Sequence, residues 1–559
     1  MPRAKKYVTK LQPLTADDIE EQLQRTVIIN PGSRYIRMSR PNDREAVVLP
    51  HCIARRLRKR KTSVSSDEPS SEEPAKTVPT TPPLPEPFFD LDEFGATKEF
   101  KSALAAAETW LKENTNEEKA PGRTYCSFEA KESEENVPAT KEFAVGNEAL
   151  DIIALNPNYI LNWPLRLKRF NTHEGPNGSR SAVAADLEDI WDRILTEELK
   201  IPQSARTEHR AVLIVPDIYD RNDVHDMVEI IMNSLDFFAC FVVLESVASA
   251  FGACLSSACV VDVGAECTLI SCVDDGISIP DTRILLHYGG EDITRLANWY
   301  FQQKFRAFTL RLNTYANWIR MDAIKEALCH SDFALQGIVD QVIKLPSPDR
   351  EETVHMRMPH EFARVPCMAL FFPGLIAPER LNNLVRYHQG YEGSCEDIYG
   401  GTGKMPKKSP KKVQKPEDDQ NVSMQNDTEA AQTGNGNSAS EPASGQFIEL
   451  HKAIYWSITR CASDDQQKKM LRNILVVGGG LGFFPGVLNL LRQKLEEVVP
   501  PTQEIVLTTN SREVPPDIHA PKGASIMAAL ETAQFLWITK EEWSRFGVKI
   551  LREKSCFAW

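Results

Sequence analysis

Val260-Val-Asp-Val-Gly-Ala-Glu-Cys-Thr-Leu-Ile270 is an apolar run that meets an aspartate, turns at a glycine and returns into a second apolar run. An earlier stretch, Val27-Ile-Ile-Asn-Pro-Gly-Ser-Arg-Tyr-Ile36, repeats the plan with Asn30 in the place of the aspartate. Glycine tolerates positive φ and lets the backbone come close to an anion. The amides exposed at such a tip form a small anion nest. Either hairpin alone is an ordinary turn. As a facing pair, Gly32 and Ser33 on one side and Asp262 and Gly264 on the other are suited to hold one phosphate chain. Asp262 is also the candidate to hold Mg through water, because magnesium prefers oxygen ligands and keeps much of its hydration.

A third glycine loop strengthens that reading. Val477-Gly-Gly-Gly-Leu-Gly-Phe-Phe-Pro-Gly486 follows the apolar run Asn473-Ile-Leu-Val-Val477 and precedes helical spacing at Val487, Leu491 and Leu495. A tight strand-to-helix turn explains it in isolation. It is not G-x-G-x-x-G in a leading nucleotide-binding unit and no G-K-[ST] follows, so Rossmann and P-loop readings are poor.

The bulk numbers bound the rest. With 559 residues the chain is long enough for two or more lobes with sizeable cores. A net charge of −13 excludes a globally basic nucleic-acid binder, so any DNA contact has to come from local patches. The twelve cysteines form no C-x-x-C pair and many lie in apolar runs, which reads as buried free thiols in a reducing compartment. The N-terminus lacks an apolar core and is not a signal peptide. Phe237 to Val261 is long and apolar enough to suggest a membrane span, but it divides into strand, short helix ending at Gly252, and strand, as expected of a buried α/β core.

Ala211-Val-Leu-Ile-Val215 reads as a buried strand, Asp223 to Leu235 as a helix and Val242 to Leu244 as the next strand. Strands alternating with helices imply an α/β protein. Two strand-rich units, each opened by one hairpin, suggest an internal duplication with a cleft between halves. Two segments are too polar to fold alone. The first carries six positive charges in Arg55-Arg-Leu-Arg-Lys-Arg-Lys61, passes through Ser/Glu/Pro-rich sequence, and contains Phe88-Phe-Asp-Leu and a helix-like stretch from Glu99 to Leu111. The second has Lys404, Lys407, Lys408, Lys411, Lys412 and Lys415 followed by Asn/Ser/Gly/Ala sequence. Nuclear import or DNA phosphate contact suits both basic runs, and a solvated rim is the plainer alternative.

In order and in kind, the two hairpins, Gly289-Gly-Glu-Asp-Ile293, Met321-Asp-Ala-Ile-Lys-Glu-Ala-Leu-Cys329, the glycine loop, Gly523-Ala-Ser-Ile-Met-Ala-Ala-Leu530 and Trp537-Ile-Thr-Lys-Glu-Glu542 resemble the actin superfamily. The resemblance covers most of 23–56, 146–395 and 446–559. It implies the two-lobed, duplicated α/β fold shared by actin, Hsp-seventy and sugar kinases, with an interlobe nucleotide cleft and two long, largely disordered inserts. The expected parts are an N-terminal tail (1–22), the first hairpin of lobe 1 (23–54), a polar insert (55–145), lobe 1 (146–252), lobe 2 (253–399), a Lys-rich insert (400–445), lobe 2 with the glycine loop (446–519) and a return to lobe 1 (520–559). Asn162-Trp-Pro-Leu165, Val215-Pro-Asp-Ile-Tyr219, the inserts and the ending Phe557-Ala-Trp559 look like the nuclear actin-related subunits of the INO-eighty chromatin-remodelling complex.

By position, the resemblance implies that ATP, with Mg, is the cofactor. Gly32 and Ser33 would meet the γ- and β-phosphates, with Arg37 where the family has a phosphate-binding lysine. Asp262 and Gly264 would face them, and Gly290 would approach the ribose. Lys325 and Glu326 would line the adenine pocket, and Gly479 and Gly480 would close over the nucleoside. The catalytic positions depart from actin: Asn30 and Ala265 replace acidic residues, Glu245 stands for the water-orienting glutamine, and Leu269 for a histidine. Arg34 and Glu266 replace glycines that admit phosphate. Phosphoryl transfer depends on metal placement and a positioned nucleophile, so ATP binding with slow or absent hydrolysis is expected. The implied role is a nuclear scaffold subunit that docks with actin and another actin-related protein on a helical segment of the remodeller ATPase subunit and contacts the nucleosome, both DNA and histones, with no membrane. An active ATPase or sugar-kinase-like enzyme of the same fold is the alternative. The long polar insert, placed where actin has a short inter-subunit loop, argues against filaments.

Overall fold

The computed structural model describes residues 16–57, 95, 97–115, 124–132, 141–156, 158–312, 314–347, 350–376, 385–387, 448–509, 514–557 and 559. Phe88-Phe-Asp-Leu, the lysine run 404–415 and the basic residues 58–61 lie outside them.

Each hairpin opens a sheet of the same design. In lobe 1 the strands Val47–Pro50, Tyr35–Ser39 and Thr26–Pro31 run antiparallel, and Thr26–Pro31 then pairs in parallel with Arg210–Val215, which pairs in parallel with Ala239–Leu244. In lobe 2, Ile284–Leu286, Thr268–Asp274 and Ala258–Val263 repeat the antiparallel run, and Ile474–Val477 and Leu507–Thr508 the parallel one. All six residues of Ala239–Leu244 and of Ala258–Val263 are buried. That is what covering both faces of a parallel strand demands, and it explains why these strands read as unbroken apolar runs. The stretch between them is the helix Glu245–Gly252, so the apolar run from Phe237 is strand, helix and strand. No described helix is long and apolar enough to cross a membrane.

The lobes join where Glu245–Gly252 crosses the helix His519–Ala529 with no room for side chains. A β-carbon on Gly523 would lie 1.7 Å from the Ala248 carbonyl oxygen, and one on Gly252 2.0 Å from that of His519. The chain after 520 ends on lobe 1: Ile538–Thr539 pairs with Ala239–Leu244, Trp543 donates to Glu229, and Trp559 stacks on Tyr219.

Part of the first polar insert is ordered, and it includes the stretch that reads as a helix in the sequence. It leaves and re-enters lobe 1 through the paired strands Ile53–Arg56 and Phe143–Val145. Between them, the helix Lys98–Asn114 and the strand Tyr125–Glu132 are docked on lobe 2. The helix starts at Thr97, whose hydroxyl accepts from the Phe100 amide, and buries Phe100, Ala107 and Leu111 as one stripe. Phe100 packs edge-on against Trp299. The strand adds a third member to the sheet of Ile338–Leu345 and Arg350–Pro359. These few apolar residues are too sparse for a core of their own, but they suffice to cover an existing one. Arg55, the first residue of the basic run, is committed to Asp186 and Asp189 at 2.5 and 2.6 Å, so at that position the run is a lobe 1 anchor.

Candidate functional site

The two hairpin tips are built alike. The Gly32 amide donates to the Tyr35 carbonyl at 3.1 Å, and the Gly264 amide to that of Cys267 at 2.9 Å. Around them opens a cleft with about 1290 Å³ of free space, its solvent mouth included. Every residue expected to contact nucleotide lines it: Gly32, Ser33, Arg37, Asp262, Gly264, Gly290, Lys325, Glu326, Gly479 and Gly480. So do Asn30, Glu245 and Ala265. Leu269 does not line the cleft. It is buried behind the second hairpin with Cys267 and Leu285, against Leu167 and Ile218.

The glycine loop closes against the second hairpin backbone to backbone. The Gly480 amide donates to the Val263 carbonyl, the Gly290 amide to that of Gly264, and the Glu291 amide to that of Ala265, all at 2.8–2.9 Å. A β-carbon on Gly290 would be 2.8 Å from Gly480 Cα. Gly478, at φ +89°, has Asp262 Oδ1 within 2.4 Å of where its β-carbon would be. These contacts explain Gly478 and Gly480, whereas a β-carbon on Gly479 would meet nothing closer than 4.0 Å.

The charged side chains form a chain of cross-cleft pairs that motif reading did not reveal. The hairpin Leu165–Arg166/Arg169–Phe170 reaches in from lobe 1. Its turn residues Leu167 and Lys168 both have positive φ, 50° and 60°. The Leu167 amide donates to Glu266 Oε2 at 2.7 Å and the Lys168 amide to Ser33 Oγ at 3.1 Å. Lys168 Nζ then donates to Asp262 Oδ2 at 2.5 Å and to Glu245 Oε2. Burial opposes the Lys168 charge, but Asp262 and Glu245 outweigh it and hold the ammonium well above its ordinary range. Burial likewise pushes the Glu245 carboxyl up, while Lys168 draws it back toward the charged form.

Arg34 and Arg37 are also taken. Arg34 lies over Trp163 and Trp318, with its guanidinium carbon 4.6 and 5.6 Å from the ring centres, and its Nε meets Glu291 at 2.6 Å. Burial works against its charge, while Glu291 and Glu266 sustain it. Arg34 is thus committed to Glu291 and two indoles while still lining the cleft. Arg37 forks onto Asp517 at 2.9 and 3.2 Å. Lys325 is buried and donates to Thr294 Oγ1 and Asp322 Oδ1, at 2.9 and 2.8 Å. It lines the pocket with Glu326, whose carboxyl pKa is raised by burial.

The donor set fits a polyanion. Ser33, Lys168 and Arg37 line the cleft between the two hairpin tips, and the glycines leave the close-approach surface that a nucleoside needs. It does not fit the expected hydrated magnesium. Magnesium demands near-octahedral oxygen ligation, yet Asp262 already pairs with an ammonium, and Asn30 and Ala265 offer no second carboxylate. Glu245, tied to that same ammonium, is not free to take a proton from water. Among the described residues no His/Cys/Asp/Glu cluster has metal-holding geometry, and all the described cysteines are free thiols. The residues motif reading missed are Lys168, Glu291, Asp517, Trp163 and Trp318. Trp163 and Glu291 sit inside motifs quoted above, whereas Lys168, Asp517 and Trp318 lie outside them.

Fold and cleft define an actin-fold protein, and comparison with known proteins agrees: the chain matches the Actin family over residues 183–317 and 415–557. It is 30% identical to actin-related protein 8 of Danio rerio over 95% of this chain and 92% of that one. Against the Aedes aegypti protein of the same name it is 30% identical over 96% and 98%. A solved structure, human actin-related protein Arp8 in its ATP-bound state, superposes with a TM-score of 0.74 at 27% identity, over 98% of this chain and all of that one. The chain belongs to the actin-related protein 8 family.

Proposed function

We propose that this protein is a nuclear, ATP-binding scaffold subunit of an INO-eighty-type chromatin-remodelling complex, with slow or no ATP hydrolysis. One observation carries the nucleotide part: the cleft keeps every residue expected to cradle a nucleoside triphosphate, while its Glu245 and Asp262 carboxylates are both paired with Lys168. Kinship with actin-related protein 8, one member of which was solved in its ATP-bound state, supports ATP as the ligand. On this reading the protein sits with actin and another actin-related protein on a helical segment of the remodeller ATPase subunit. There it helps engage nucleosomal DNA and histones in transcription, repair and replication. The lysine run 404–415 suits salt-sensitive phosphate contact without base readout.

The test is to denature the purified protein and identify the nucleotide released, then to follow a single turnover of added ATP. Bound ATP that stays intact over time is expected. Release of no nucleotide, or hydrolysis at the rate of actin, would remove the proposal.

A further inference from the structure

We propose that Lys168 is a built-in counter-ion for the phosphate chain, so that this cleft binds its nucleoside triphosphate without a divalent metal. The proposal rests on the nucleotide-site reading above and specifies how that site balances charge.

Placement is the first argument. Two successive non-glycine residues at positive φ are unfavourable for L-amino acids, and a two-residue hairpin turn usually solves the problem with Asn-Gly or Asp-Gly. Here Leu167 and Lys168 hold that conformation because both phosphate hairpins grip the tip, Glu266 taking one amide and Ser33 the other. The strained turn is therefore locked to the cleft, and it aims one cation at Asp262.

Charge is the second argument. Asp262 is the residue the fold would use for a metal, and its Oδ2 is 2.5 Å from Lys168 Nζ. The same nitrogen reaches Glu245, so one ammonium answers two carboxylates of the cleft wall. A divalent ion brought to Asp262 would meet a buried positive charge at close range, where solvent screens little. An ammonium has three donors. Two are used, and the third is left for a phosphate oxygen beside Ser33 and Gly264, which line the same cleft. Asn30 in place of an acidic residue fits this assignment, since a single positive charge needs less opposing charge than Mg.

The experiment measures ATP affinity of the full-length protein in excess EDTA and in excess Mg, with thermal melts to check folding. The wild type is expected to bind in EDTA at least as tightly as in Mg. Lys168→Gln frees Asp262, and is expected to lose about tenfold in EDTA and to recover with Mg. Lys168→Arg is expected to bind in EDTA more tightly than Lys168→Gln. Should Lys168→Gln fail to fold, the wild-type comparison still decides. Wild-type binding that Mg strengthens about tenfold would overturn the counter-ion assignment while leaving the nucleotide site standing. Tighter binding by Lys168→Gln in EDTA would also overturn it, by showing Lys168 to be a latch that excludes nucleotide. No binding under either condition would overturn both.

Discussion

The two phosphate hairpins share one backbone turn and are fixed by opposite means. The tip at Gly264 is clamped chiefly by main chain, through the amides of Gly290, Glu291 and Gly480, with the Glu266 carboxylate adding one bond to the Leu167 amide. The tip at Gly32 depends on a side chain: His51 Nδ1 meets the Gly32 carbonyl at 2.7 Å, and the His51 amide donates to the Arg34 carbonyl at 2.8 Å. Backbone clamping tolerates no added atoms but is indifferent to pH. Side-chain clamping tolerates small changes but inherits the chemistry of the imidazole. The duplicated fold therefore has a rigid half and a titratable half.

The rigid half should break hardest. A β-carbon on Gly480 would lie 2.2 Å from the Gly264 carbonyl oxygen and 2.8 Å from that of Val263, both backbone atoms with nowhere to move. Gly480→Ala is expected to cost about 3 kcal/mol, the upper end of overpacking effects, and to abolish nucleotide retention. Urea unfolding together with nucleotide release checks it. A variant with wild-type stability and bound nucleotide would show that the glycine loop moves freely.

The other half should fail more mildly and with pH. Trp191 Nε1 donates to His51 Nε2 at 3.3 Å. Trp is donor-only, so the imidazole proton sits on Nδ1 and points at the Gly32 carbonyl. His51→Ala leaves that carbonyl and the indole unpaired in a buried site, with an expected loss of about 2 kcal/mol. Burial lowers the His51 pKa from 6.5 to about 4. Between those values the unfolded chain binds a proton that the native state refuses, so stability falls as pH falls. At about pH 5 this term amounts to about 2 kcal/mol. His51→Asn, which keeps a donor but does not titrate, should flatten that part of the acid limb. His330 and His451, lowered to about 4 and about 3 by burial first of all, and His519, also lowered by burial, still contribute to it. Identical acid limbs in wild type and His51→Asn would end the distinction between halves.

What the chain shows on its face follows the same division. The backbone-fixed half was legible because close approach and positive φ leave glycines at fixed spacings, as in Gly289-Gly290 and Gly478-Gly-Gly480. The duplicated α/β fold was legible from buried strands such as Ala211 to Val215 for a similar reason: local pattern records local burial. Lys168 was not. Within Arg166-Leu-Lys-Arg169 it reads as part of a basic surface tract, and its partners Glu245 and Asp262 are far along the chain. The docking of Lys98–Asn114 was half legible, since its apolar stripe showed in the sequence and the lobe it covers did not.

The smallest expected effect is the most discriminating. If the missing carboxylates alone prevented hydrolysis, Asn30→Asp with Ala265→Asp would restore it. The cleft predicts otherwise, because Lys168 would still pair with Asp262 and Glu245, and the new carboxylates would face an ammonium where a metal is needed. The double variant should therefore hydrolyse ATP at the wild-type background rate in a single-turnover assay. Adding Lys168→Gly removes the ammonium and gives the turn a residue at ease with positive φ, and only then should a Mg-dependent rate emerge. Hydrolysis in the double variant with Lys168 intact would shift the cause from the occupied cation position to the lost acids, and would make the two hairpins defective in the same way.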